Sequence, residues 1–169
     1  MRKLLVILFV LCLHWIHAPI ELYHPDPWYF NLIQFYCAME GLPIEADEII
    51  RVLIAGESGG LKRKVEWKND RQISFGLTQA SYESYSDFLD AHGWKSKTFR
   101  EDLFQPAINI ACCCWHMKRN YEFYHHDWRM TLSAWNLGRK GLADYTERTG
   151  LRYYPPYIKH LKNYGLRLK

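Results

Sequence analysis

The chain has no C-x-x-C pair, no internal repeat, no low-complexity tract and no alternating strand pattern of any length. Without C-x-x-C spacing a structural zinc site is not expected. The absence of repeats and low-complexity tracts sets aside repeat architectures and disorder. The lack of alternation points to a mainly α fold. Excess charge is also scarce. The net charge is +4, and Arg2 and Lys3 are the only ionised groups among the first eighteen residues, which leaves +2 on the remainder. That balance is too mild for a nucleic-acid partner, and none is expected. It is compatible with approach to a weakly anionic surface. The longest apolar run, Leu4 to Leu13, falls short of a comfortable membrane span.

What is present is one domain's worth of chain, 169 residues with 49% hydrophobic content, enough for a core. The aromatic share is 16%, including seven Trp and twelve Tyr, which fits a sugar-binding groove as well as a core. Residues 1–18, a basic start followed by an apolar run, are predicted to be a signal peptide or an N-terminal membrane anchor, with membrane association through residues 4–16. Ile16 at the −3 position and Pro19 just beyond make Ala18 a poor cleavage site, which keeps the uncleaved anchor open. Breakers at His24–Pro27 lead into a helix over Trp28–Met39, so 19–42 is a helical extension and 43–169 the main domain. Further helices are predicted over Gln79–Leu89, from Pro106 to Phe123, over Trp128–Leu137 with Asp127 as cap and Gly138 as stop, and from Pro155 to Tyr164. Arg139–Gly150 is expected to be a polar connector with room for a short helix. Residues 61–75 are the place for a small β-hairpin.

The chain is organised around Ala46 to Gln79. Ile50, Leu53, Ile54 and Glu57 fall on one helical face, so a carboxyl ends an apolar stripe. Gly59 and Gly60 are natural stop signals, which places Glu57 in the last turn. Burial and the negative end of the helix dipole both disfavour the carboxylate, and both raise its pKa, the requirement for a general acid at neutral pH. On this helix alone, an exposed carboxylate at a frayed end is an equal alternative.

Three pieces then line up: Glu57-Ser58, Gly76-Leu77-Thr78-Gln79 and Ala134-Trp135-Asn136-Leu137-Gly138. In this order they resemble the E-S, G-L-M-Q and A-Y-N-x-G motifs of the soluble Slt-type lytic transglycosylases of glycoside hydrolase family 23, which share the goose-type lysozyme fold and include many phage members. Gln105–Ile110 is similar to the family's D-P-x-x-N-I helix start, and Tyr157-Ile158-Lys159 to its terminal Y-V-x-K helix. The likeness covers about Pro43 to Tyr164. Three departures stand out. The Glu57-to-Gly76 spacing, nineteen residues, is a few residues longer than the family's; Thr78 stands for Met; and Trp135 stands for Tyr.

The resemblance implies a single lysozyme-like, mainly α domain that cleaves peptidoglycan between N-acetylmuramic acid and N-acetylglucosamine without a cofactor. Glu57 would protonate the glycosidic oxygen, then deprotonate the C6 hydroxyl to close a 1,6-anhydro ring. Ser58, Gln79, Trp135, Asn136 and Tyr157 would hold acid and sugar. It also implies an exported monomer acting in the periplasm or cell envelope, or on the virion if phage-encoded. A hydrolase of the goose-type muramidase kind would need a second carboxylate to activate water, with Asp70 first and Glu66 second. A catalytically decayed wall-binding or virion protein is the non-enzymatic alternative. Of Cys37, Cys112, Cys113 and Cys114, at most one bridge, Cys37 to one of the three, is compatible with helical spacing; small buried hydrophobes are the preferred reading. His116, His125, His126 and Asp127 are not expected to bind a metal.

Overall fold

The computed structural model describes residues 27–68 and 71–168. The predicted leader at 1–18, including residues 4–16, and Asp70 lie outside the described residues. Seven helices and three short strands follow in chain order among the described residues: α1 (Pro27–Met39), α2 (Ala46–Ser58), β1 (Val65–Lys68), β2 (Arg71–Phe75), β3 (Ala80–Ser81), α3 (Tyr82–Ala91), α4 (Phe99–Leu103), α5 (Pro106–Phe123), α6 (Trp128–Thr149) and α7 (Pro155–Lys162). The fold is mainly helical with a small antiparallel sheet in the order β1-β2-β3. It is the lysozyme-like architecture expected from the sequence, with the predicted hairpin extended by one more strand.

Helix α2 runs through the main core because its apolar stripe is continuous. Ile50, Leu53 and Ile54 are fully buried, each worth about 1.5–3 kcal/mol relative to exposure. They pack with Leu77, Ile110, Met117, Leu132, Ile158 and Leu161 from the surrounding elements. A second, smaller core of Phe75, Tyr85, Phe88, Leu103 and Phe104 joins the sheet to α3 and α4. Trp135 packs on both.

One boundary differs from the sequence reading. The helix expected from Gln79 starts at Tyr82, because Gln79 has φ 52 and because Ser81, in extended backbone, caps the helix by accepting from the Ser84 N–H at 3.1 Å. Gly138 closes the first helical segment of α6, as expected. It adopts φ 72, ψ 160, and the chain resumes helical geometry to Thr149, anchored by Leu142 at 1% exposure. The connector's short helix thus continues to Thr149. Short α4 had no strong sequence signal.

The predicted cap and helix openers are present. Asp127 caps α6 by accepting from the N–H groups of Arg129 and Met130 at 2.8 and 3.2 Å. Pro106 opens α5 and Pro155-Pro156 opens α7. Cys37 of α1 meets Cys114 of α5 with the sulfurs 3.8 Å apart, and these two, with Cys112 and Cys113, are free buried thiols. Among the described residues no helix is long and apolar enough to cross a membrane, and no group of three His, Cys, Asp or Glu could hold a metal ion.

Candidate active site

A helix end leaves its last carbonyls without intrahelical partners. At the end of α2 every one of them is taken. Ile54 accepts from the Ser58 hydroxyl at 3.0 Å, Ala55 from the Gly59 N–H at 3.1 Å, and Ser58 from the Leu61 N–H at 3.2 Å. His160 Nε2 donates to the Gly56 carbonyl at 3.2 Å, and Lys64 Nζ donates to the Glu57 carbonyl. Gly59 turns left-handed at φ 59 to make this stop possible. The residue that ends the stripe, Glu57, is thus held in place rather than frayed.

Helix α7 completes the position. A Cβ at Gly56 would lie 2.8 Å from Leu161 Cδ2 and 3.4 Å from His160 Nε2, so the glycine lets α7 approach α2 closely. That approach brings the buried Tyr157 hydroxyl to Glu57, where it donates to Oε1. Burial raises the pKa of Glu57; the Tyr157 hydrogen bond opposes this, the negative charge of Glu66 adds to it, and His160 and Lys64 oppose it. The net direction is upward. Replacement of Tyr157 by Phe removes a donor that favours the ionised form, so the Glu57 pKa should rise further. An NMR titration of the Glu57 carboxyl carbon checks this, and an unchanged or lower value would show that the hydrogen bond does not act on the acid.

Glu57 opens into a cleft of about 570 Å³. The sheet and α3 form one wall, and α5 and the broken region of α6 form the other. Gln79, Trp135 and Asn136 line it with Glu57. Ser58 does not reach it: it is 3% exposed, and its hydroxyl bonds the Ile54 carbonyl and the Gly60 N–H. Tyr157 touches the acid from behind and is not part of the lining.

The Gly76–Gln79 turn is held by one residue whose part the sequence reading left unassigned. Asn109, fully buried on α5, accepts from the Thr78 N–H at 2.9 Å and from its hydroxyl at 2.8 Å, and donates to the carbonyls of Phe75 and Leu103, each at 3.0 Å. Its place in the D-P-x-x-N-I-like segment was the available signal. Thr78 is fully buried against Asn109 and is not part of the cleft lining. Gln79 keeps its left-handed backbone through its own side chain, which donates to the Gly76 carbonyl at 2.7 Å and the Lys64 carbonyl at 3.2 Å and faces the Ser74 hydroxyl at 3.1 Å.

Glu66 stands in the same cleft, opposite Ser74 in the β1-β2 ladder, and the Ser74 hydroxyl donates to its Oε2 at 3.1 Å. A β-bulge follows directly, between Glu66 and Trp67. Of the two second-carboxylate candidates, only Glu66 falls within the described residues.

The family model described as Transglycosylase SLT domain matches residues 40–154. The chain belongs to the transglycosylase SLT family. Its acid-bearing helix end, its GLTQ turn and its AWNLG segment all fall inside that match, and the family assigns this SLT domain to lytic action on peptidoglycan. No curated protein and no solved structure matches the chain significantly.

Proposed function

We propose that this SLT domain cleaves the β-1,4 bond between N-acetylmuramic acid and N-acetylglucosamine and releases a 1,6-anhydro product, with Glu57 as acid and then base. The observation that carries the reading is the Glu57 carboxyl at the cleft, held by Tyr157 and shifted by burial toward its protonated form. A protonated carboxyl donates to the leaving oxygen as the bond breaks. The resulting carboxylate then takes the proton of the C6 hydroxyl, which attacks C1 and closes the ring. The substrate's acetamide supports the oxocarbenium-like centre between these steps. Gln79, Trp135 and Asn136 are the cleft residues to contact the sugars, Trp135 through its ring face and its one N–H donor. Mass spectrometry of digested peptidoglycan is the test. Anhydro-muropeptides are the expected product, and reducing-end muramic acid would overturn the transglycosylase assignment.

One observation favours a second reading, hydrolysis. Glu66 shares the cleft, and its charge acts on Glu57. A water activated by Glu66 would then deliver the hydroxyl group. The two mechanisms respond differently to Glu66→Gln. In the transglycosylase the substitution removes a negative charge that raises the Glu57 pKa, so the alkaline limb of the rate profile moves to lower pH and the plateau rate stays within about threefold. In a hydrolase the plateau itself falls, by about 10²-fold or more.

We further propose that the domain acts in the cell envelope, with residues 1–18 as its export signal or anchor. N-terminal sequencing of the secreted protein separates the two.

A further inference from the structure

Helix α1 lies just ahead of the family match, which begins at residue 40, yet it is built into the main core. Ile33 and Cys37, one turn apart, form its buried face. On α5, Ile110, Cys114 and Met117 are fully buried in the same cluster, at the spacing of one helical face. The packing of α1 on α5 sets Cys37 against Cys114. Two sulfurs 77 residues apart in the chain thus lie 3.8 Å from each other.

Successive positions on a helix point about 100° apart, so the three consecutive cysteines of α5 face different surroundings. Cys112 turns to the smaller core, its Sγ 3.8 Å from the Ser84 carbonyl. Cys113 turns to the Thr78 hydroxyl. Cys114 turns to α1 and meets Cys37. A cysteine that serves as a small hydrophobe has no need of a second sulfur on another element.

We infer that Cys37 and Cys114 are a disulfide site, closed when the chain folds in the presence of a small-molecule disulfide, and that the bond fastens α1 to the SLT domain. One cysteine, as thiolate, attacks a sulfur of the oxidant, and half of the oxidant leaves as a thiol. The other cysteine attacks the mixed disulfide and displaces the second half as a thiol. Two S–H bonds are lost and one S–S bond forms. The two electrons and two protons end on the two thiols released. The sulfurs close from 3.8 Å to about 2.05 Å, a movement on the scale of a side chain.

Burial decides when this happens. Cys37 is 5% exposed and Cys114 is fully buried. Contact with Cys37 and burial together hold the Cys114 thiol well above the usual range. The folded domain therefore offers an oxidant little access and little Cys114 thiolate. The bond forms as α1 docks, and a chain that has folded reduced keeps its thiols. Compartments outside the cytosol supply such oxidants. The bond does not depend on the reaction proposed for the cleft, and no readout below uses peptidoglycan.

The full chain is unfolded with reductant and refolded in a buffer of glutathione and glutathione disulfide. It is then alkylated in denaturant and weighed by mass spectrometry. Wild type should carry three alkyl groups on its five cysteines. Cys112→Ala and Cys113→Ala should keep the bridge, and Cys37→Ala and Cys114→Ala should lose it. If Cys114→Ala does not fold, fragmentation of the linked wild-type peptide between Cys113 and Cys114 reads the same assignment. Reduction of the bridged protein should raise its unfolding constant about 100-fold, seen as a lower denaturant midpoint, and should leave the midpoint of Cys37→Ala unchanged. Five alkylated cysteines in refolded wild type, or a bridge that persists in Cys114→Ala, overturns the site. A midpoint indifferent to reduction overturns the fastening of α1.

Discussion

Glu57→Gln should lower the rate of peptidoglycan clearing by at least about 10³-fold and, at neutral pH, make the protein more stable. Both effects follow from one side chain. The amide keeps the size of the acid and can still accept the Tyr157 hydrogen bond, so the cleft and the α2–α7 contact persist. It has no proton to give the glycosidic oxygen and no basicity to recover one. The stability change follows from the upward pKa shift. A carboxyl whose folded-state pKa is raised holds its proton more tightly in the native state. Its favourable contribution is complete below the unfolded pKa and is lost as pH rises through the folded one. At neutral pH the wild type therefore bears the cost of a half-buried carboxylate, and the amide does not. Thermal melts of the two proteins should differ most above the folded pKa and converge in acid. Turbidity assays check the rate. A variant that retains more than about a tenth of wild-type clearing would mean that another group supplies the proton.

The place of this acid was legible in the sequence, whereas much of what holds it was not. The stripe Ile50, Leu53, Ile54, Glu57 is a local pattern at helical period, and the structure buries its three apolar members fully. Gly59 as a stop, Asp127 as a cap and Pro106 as an opener are also local signals, and each functions as read. Gly138 closes its helix as read, but a positive-φ glycine does not say whether the segment after it has a core to return to. Leu142 supplies that core contact, and it is visible only after folding. The Ser58 hydroxyl serves the helix end, a local competition that serines often win. Asn109 and Glu66 act across 31 and 8 residues of chain, and no periodicity encodes such reach. The turn at Gly76 lies between these cases. Its glycine is evident in the sequence, while the reason for it is tertiary.

That reason makes Gly76→Ala the most damaging small substitution to expect in the fold. Gly76 has φ +75, and an added Cβ would lie 2.3 Å from the Leu103 carbonyl oxygen and 2.5 Å from Asn109 Nδ2. The left-handed backbone alone costs a non-glycine residue about 1–2 kcal/mol. The steric term is larger, because neither neighbour can yield cheaply. Leu103 O belongs to the backbone at the end of α4, and Asn109 makes four hydrogen bonds in a fully buried site. Displacing Asn109 would strand the Thr78 N–H and the carbonyls of Phe75 and Leu103, at about 1–3 kcal/mol for each group left without a partner. The expected loss is about 4 kcal/mol or more, a large fraction of the 5–15 kcal/mol typical of a domain. Gly59→Ala is the matched control. It has φ +59 and nothing within 4 Å of its added Cβ, so it should cost only the backbone term of about 1 kcal/mol. Denaturant melts of the two variants measure the difference directly. If both lose the same stability, Asn109 does not hold the GLTQ turn rigidly, and Gln79 is not fixed at the cleft by the packing described.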